Sequence, residues 1–109
     1  MPGMSRSSII IEDLRIMKAV HPGRILKREL MSRAMSANAL ALALRTPSGR
    51  IVDILNGKRG ISPETALRLA RYFGNSPLFW LNLQTAYELA VAEQAHGERI
   101  AKEVSPAAA

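Results

Sequence analysis

The sequence predicts an all-α protein: a five-helix domain with an extended C-terminal helix. Three observations carry this. Apolar residues make up 48% of the chain but aromatics only 5%, so the core must be built from Ala, Leu and Ile, which suit helix-on-helix packing. Apolar positions recur at helical spacing from about residue 22 to residue 94. Gly and Pro fall between these periodic segments, where helices begin and end.

Pro22-Gly23 opens the first helix, which runs to about Ser32 with Ile25, Leu26 and Leu30 on one face. Ser36 is an N-cap residue, because its hydroxyl can accept from a free amide one turn on. The segment after it, Ala37–Leu44, alternates apolar residues but is so rich in alanine that helix is favoured over strand. Thr46-Pro47 reads as a cap followed by proline at the first helical position. The short helix that follows, roughly Pro47–Asn56, carries Ile51, Ile54 and Leu55 on one face and ends at Asn56-Gly57. Ser62-Pro63 repeats the start signal, with Leu67, Ala70 and Phe73 following and Gly74 as the stop. Ser76-Pro77 starts the last helix, expected from Phe79 to about Gln94, with His96-Gly97 as its break.

This divides the chain into an N-terminal arm over residues 1–20, a helical domain over 21–95 and a short tail over 96–109. The arm is ambiguous. Ile9–Ile11 suits a strand or an unstructured arm, and Glu12–Val20 suits a short helix.

Charge narrows the function. The net charge is +6, and residues 21–60 alone hold eight cations against Glu29 and Asp53. Residues 86–104 are net acidic. A local basic surface attracts polyanions such as nucleic acid, although a solvated face has the same composition. The chain has no Cys, which removes disulfides, thiolate metal sites and Cys nucleophiles and fits a cytoplasmic protein. No apolar run approaches the roughly 18 residues of a membrane span. His21 and His96 stand at opposite ends of the domain, and no metal spacing, phosphate-binding glycine loop or Ser–His–Asp order is present. Neither an enzyme nor a cofactor or metal is expected. His21 reads as structural and His96 as exposed.

The second and third helices are short, separated by two or three residues, and each is apolar on one face. This is the plan of a helix-turn-helix, in which the first helix braces and the second enters the DNA major groove. Burying Ile51, Ile54 and Leu55 turns Ser48, Gly49, Val52 and Asp53 outward. The pattern alone is weakly specific, since any small helical bundle contains such pairs.

A combination of motifs is more specific: His21-Pro22-Gly23-Arg24-Ile25-Leu26, Ser36-x-Asn38, Arg50-Ile51, Asn56-Gly57-Lys58-Arg59, Thr65–Ala70 and Phe79-Trp80-Leu81-Asn82-Leu83-Gln84. Across about residues 21–90 the chain resembles the HigA/VapI antitoxins of the Xre-type, lambda-repressor-like helix-turn-helix family. The resemblance implies a dimeric repressor that binds double-stranded operator DNA upstream of its own operon. It also implies a toxin partner of the HigB type, an mRNA-cleaving RNase. Carried over by position, Ser48, Gly49 and Asp53 face bases and Arg50 reaches a phosphate or a guanine edge. Asn56, Lys58 and Arg59 meet the DNA backbone, with the amides near Gly57 assisting. Ala37, Ala39, Leu42 and Arg45 depart from the family's pattern. Arg45 stands where Gly is usual and is expected to carry a positive φ. Gly49 offers no side chain to a base, so the readout leans on DNA shape and phosphate contacts.

The last helix carries two apolar stripes. One runs through Phe79, Leu83, Ala86 and Leu89/Ala90, and the other through Trp80, Tyr87 and Val91. A helix with two such stripes tends to bury one at home and one on a partner. Trp80, Tyr87 and Val91 are the expected homodimer contact, against the alternative of one broad stripe buried within the monomer. Two other functions stay open at this point: an orphan Xre-family regulator without a toxin, and a protein-interaction module that has lost DNA binding.

Overall fold

The computed structural model describes residues 20–108. Apart from Val20, the N-terminal arm lies outside the described residues. Five helices follow: α1 (Pro22–Ser32), α2 (Ala37–Leu44), α3 (Ser48–Leu55), α4 (Pro63–Phe73) and α5 (Pro77–Glu103). Among the described residues there is no strand, and the all-α, five-helix expectation holds.

Local chemistry sets most helix ends. The Nδ1 of His21 accepts from the Gly23 amide at 2.9 Å and caps α1. Ser36 accepts from the Ala39 amide and Ser62 from the Thr65 amide, as N-caps do. Gly74 ends α4 with a φ of 74°. Arg45 ends α2 in the left-handed region, at φ 57°, as expected of a residue in a glycine position. Ala34, in the turn between α1 and α2, shares that conformation at φ 52°, which its sequence context did not signal.

Besides the start of α5, which lies at Pro77 and not Phe79, two boundaries differ from expectation. The Thr46 amide donates to the Ala41 carbonyl at 3.0 Å and so completes the end of α2. The start of α3 therefore moves one residue on. Pro47 takes the N-cap position, with no side-chain cap bond. The second difference is larger: α5 does not break at His96-Gly97 but continues to Glu103. A glycine inside a helix costs only about 1 kcal/mol relative to Ala. Ala92, Glu93, Gln94, Ala95, Glu98 and Arg99 around it are mostly strong helix formers. Gly74 stops a helix because it adopts a positive φ, whereas Gly97 keeps a helical one.

The core consists of Leu26 and Leu30 from α1, Leu40, Ala41 and Leu44 from α2, and Ile51 and Ile54 from α3. Ile61, Ala66, Leu69, Ala70 and Trp80 complete it. Ile25, Leu55 and Phe73 pack against its edge. On α4 the inward face differs from expectation: Leu67 is 60% exposed while Ala66 and Leu69 are fully buried. On α5 neither stripe is wholly inward or outward: Leu83 packs against the core and Val91 is exposed. Trp80 is completely buried, donates from its indole N–H to Asn75 at 3.0 Å and stacks beside Phe73. Phe79 and Leu89 face outward. Trp80 thus has no surface to offer a second subunit. Gln84, one turn beyond it, is buried too.

Two close approaches fix α3 in the bundle. Gly23, in the first turn of α1, lies directly against the backbone carbonyl of Ile54, where any Cβ would collide. Arg68 of α4 donates through Nη1 to the Leu44 carbonyl at 2.9 Å. This satisfies a free carbonyl at the end of α2 and secures the turn that leads into α3.

Candidate nucleic-acid interface

Helix α3 has one face in the core and one in solvent. Ile51 and Ile54 are fully buried and Leu55 half-buried. Ser48, Gly49, Val52 and Asn56 are exposed, and Arg50 and Asp53 are half-buried along the border. The outward set read from the sequence therefore lies at the surface. Apart from the adjoining backbone of α3 itself, no atom comes within 4 Å of the point where a Gly49 Cβ would sit, so the helix presents open backbone there.

The helix ends in a tight turn. Gly57 takes φ 74°, its amide donates to the Ile54 carbonyl at 3.1 Å, and the Lys58 amide donates to the Asp53 carbonyl at 2.8 Å. This is the paired-bond pattern of a Schellman C-terminus. It corrects one expectation: the Gly57 and Lys58 amides are already used by α3 and are not available to a phosphate. The cationic side chains of Lys58 and Arg59 are.

Those cations sit among acids. The Arg59 guanidinium lies 3.8 Å from the Asp53 carboxylate, which ties the loop back to α3. The Arg50 guanidinium lies 3.9 Å from Glu64, in the first turn of α4. Arg50 and Asp53 are one turn apart on the same side of α3. Arg50, Asp53 and Arg59 thus form a continuous charged border beside the exposed face. Lys58 is exposed and makes no ion pair with the described residues.

Two residues outside the border hold the loop in place. Gln84 of α5 accepts from the Ile61 amide through Oε1 at 2.8 Å. Its Nε2 donates to Glu88 at 3.1 Å. His21, besides capping α1, bonds the backbone of Arg59 and meets Tyr87 edge to face at a centroid distance of 5.0 Å. Burial pushes the His21 ring below its usual pKa of 6.5, and the Arg59 backbone bond opposes this less strongly. The structural reading of His21 holds.

Gly23, Arg68 and Gln84 stand in the motifs that carry the resemblance, but the contacts they make, and those of Glu64, are not read from the sequence. A signal existed for one of them. A glutamine one turn after a core tryptophan, on the same helix face, is a polar residue aimed inward and needs a partner. Among the described residues no group of His, Asp or Glu side chains could hold a metal ion, and no helix is long and apolar enough to cross a membrane.

Residues 26–81 match the family described as Helix-turn-helix. The chain belongs to the helix-turn-helix family. Among relatives, this helix-turn-helix chain is 53% identical over 79 residues to virulence-associated protein I of Dichelobacter nodosus, covering 72% of this chain and 73% of the relative. A solved addiction-module antidote protein of the HigA family from Coxiella burnetii superposes with a TM-score of 0.80 at 51% identity, over 82% of this chain and 98% of that one. The Pseudomonas aeruginosa antitoxin HigA, solved with the higBA promoter, superposes with a TM-score of 0.80 at 45% identity, over 83% of this chain and 99% of that one. The resemblance to HigA and VapI proteins read from the sequence is borne out at the level of family and fold.

Proposed function

We propose that the protein is a sequence-specific DNA-binding repressor and the antitoxin of a HigBA-type module. Its task is binding and not catalysis. The observation that carries this is the solvent-facing side of α3, open at Ser48, Gly49, Val52 and Asn56 and bordered by Arg50, Lys58 and Arg59. It is supported by 45% identity to a HigA protein solved on its promoter, covering 99% of that chain.

In this reading α3 lies in the major groove. Arg50 reaches a phosphate or guanine edge, while Lys58 and Arg59 neutralise phosphates and set the register. Ser48 lies near the bases, and Asp53 accepts from a cytosine amine or orients Arg59. Gly49 lets the backbone approach closely. Asn56 contacts the backbone beside the turn. Two subunits place two such helices roughly 34–36 Å apart, one DNA turn, and occlude the promoter.

The second subunit is held by α5. Leu78, Leu89 and Ile100 share one exposed face of that helix; half-buried Tyr87 and exposed Val91, the contact expected from the sequence, lie on the roughly opposite side. The toxin is a small RNase of the HigB type, and the complex works in the cytoplasm. The exposed Leu42 and Leu67 on α2 and α4 favour a protein-binding role alongside DNA binding.

A mobility-shift titration on DNA upstream of the protein's own gene tests the repressor reading. Binding should weaken steeply with salt, because phosphate contacts release counterions. Absent or salt-insensitive binding contradicts it. Co-purification with the product of an adjacent small RNase gene tests the antitoxin role, and an orphan regulator would bind the DNA but retain no such product.

A further inference from the structure

Each oxygen of the Glu64 carboxylate faces a different arginine. Oε1 lies 3.5 Å from Nη2 of Arg68, and Oε2 lies 3.9 Å from Nη1 of Arg50. The two arginines are not equivalent. Arg68 is anchored, since its other guanidinium nitrogen donates to the Leu44 carbonyl at 2.9 Å. Arg50 has no second bonded partner among the described residues and stands on the border of the DNA-facing side of α3. Glu64 is itself exposed. The carboxylate is therefore held by a fixed cation while it neutralises a movable one.

We propose that Glu64 is a positioning residue that competes with DNA phosphate for Arg50 and so restrains capture of duplex DNA. The inference rests on the reading of Arg50 as a DNA contact. In the free protein the carboxylate occupies the guanidinium. When a duplex arrives, a phosphate or base oxygen takes that place. Glu64 stays on Arg68, close to the incoming backbone. At that range salt screens the like charges only partly, since the Debye length is about 8–10 Å at ordinary ionic strength. An exposed ion pair of this kind is weak, so the restraint is graded and not a lock. The exchange also reduces the number of ions released when Arg50 meets DNA, because Arg50 arrives already neutralised. Asp53 stands in the same relation to Arg59, at 3.8 Å. Glu64 gives the cleaner test because it has no place among the expected base contacts.

The experiment measures affinity for the upstream DNA and for an unrelated duplex of equal length, across a range of salt concentrations. It compares the full chain with E64Q, R50A and the double variant R50A/E64Q. Glutamine keeps the length of the side chain and an oxygen that can accept from Arg68, so the α2–α4 clamp survives. E64Q is expected to bind both duplexes about two- to fivefold more tightly. Its dependence of log affinity on log salt should steepen by up to about one unit. Both effects should be clearly smaller in the R50A background, where only the direct repulsion between Glu64 and phosphate remains, as a double-mutant cycle requires of residues that act on each other. Unchanged or weaker binding by E64Q overturns the proposal. So does equal tightening with and without Arg50, which would mark a general effect of net charge. If R50A alone binds as tightly as the parent chain, the assignment of Arg50 to DNA fails, and the role of Glu64 falls with it.

Discussion

The side-chain oxygen of Gln84, in the first third of α5, accepts from the backbone amide of Ile61 at 2.8 Å in a buried setting. This bond joins the helix expected to hold the dimer to the loop that carries Lys58 and Arg59. A Cβ on Gly60 would lie 2.7 Å from the same Gln84 amide, so the loop backbone is pressed against it. Gln84→Leu leaves the Ile61 amide buried without an acceptor. The expected loss is about 1–3 kcal/mol of stability, read as a lower urea midpoint with the slope unchanged. An unaltered midpoint would show that water or another group replaces the bond.

Gly23 is the point where α1 meets the end of α3. A methyl group there collides with the Ile54 carbonyl, and relief requires α3 to shift. Gly23→Ala should lower stability by about 1–3 kcal/mol, as overpacking does. It should also weaken DNA binding in protein that remains folded by circular dichroism. Gly49→Ala is the control, because its Cβ meets no atom within 4 Å apart from the adjoining backbone of α3. It should raise stability by up to about 1 kcal/mol, because alanine is the better helix former at a site where its methyl group meets nothing.

Ala34 holds φ 52° in the α1–α2 turn, and its amide and that of Met35 close the end of α1 onto Met31 and Leu30. An L-residue in that conformation costs about 1–2 kcal/mol, part of which glycine returns through its freer unfolded chain. Ala34→Gly should therefore raise stability by up to about 1 kcal/mol, visible as a higher Tm. A lower Tm would mean that the methyl group has a packing role.

His21 sets a pH dependence. Its Nδ1 must be unprotonated to accept from the Gly23 amide, and burial lowers its pKa below 6.5. The unfolded chain therefore takes up the proton first. The contribution of this cap is fully present above about pH 6.5 and is lost as pH falls through the lowered folded value. Urea midpoints measured downward from pH 7 should decline for the parent chain. They should decline less for His21→Asn, which keeps a capping oxygen. Equal slopes in the two proteins would remove His21 from the account.

How much of this was legible in the sequence depends on the range of the interaction. Ser36, Ser62 and Gly74 act on amides and carbonyls within one turn, and each was placed correctly. Gly97 resembles Gly74 in isolation. Only the helix formers on both sides distinguish them. The inward face of α4 admitted two frames, Leu67–Ala70–Phe73 or Ala66–Leu69–Ala70. The bundle buries the second because a small residue at position 66 lets α4 approach closely, and that spacing is set by other helices. The same holds for Trp80 against Phe79. In the site, α3 and its cations were readable because they are contiguous. The ion pair with Glu64 and the bond from Gln84 were not, since each joins segments separated in sequence.

The most direct test of the central claim is the salt dependence of affinity for the upstream DNA, compared between the parent chain and Lys58→Ala. Lys58 is exposed and makes no ion pair with the described residues, so its removal should leave folding unchanged. If it neutralises a phosphate, the slope of log affinity against log salt becomes shallower by about one unit. The loss of affinity should then be similar on the upstream DNA and on unrelated duplexes. A slope identical to that of the parent chain would place the loop after α3 away from the DNA and contradict the account.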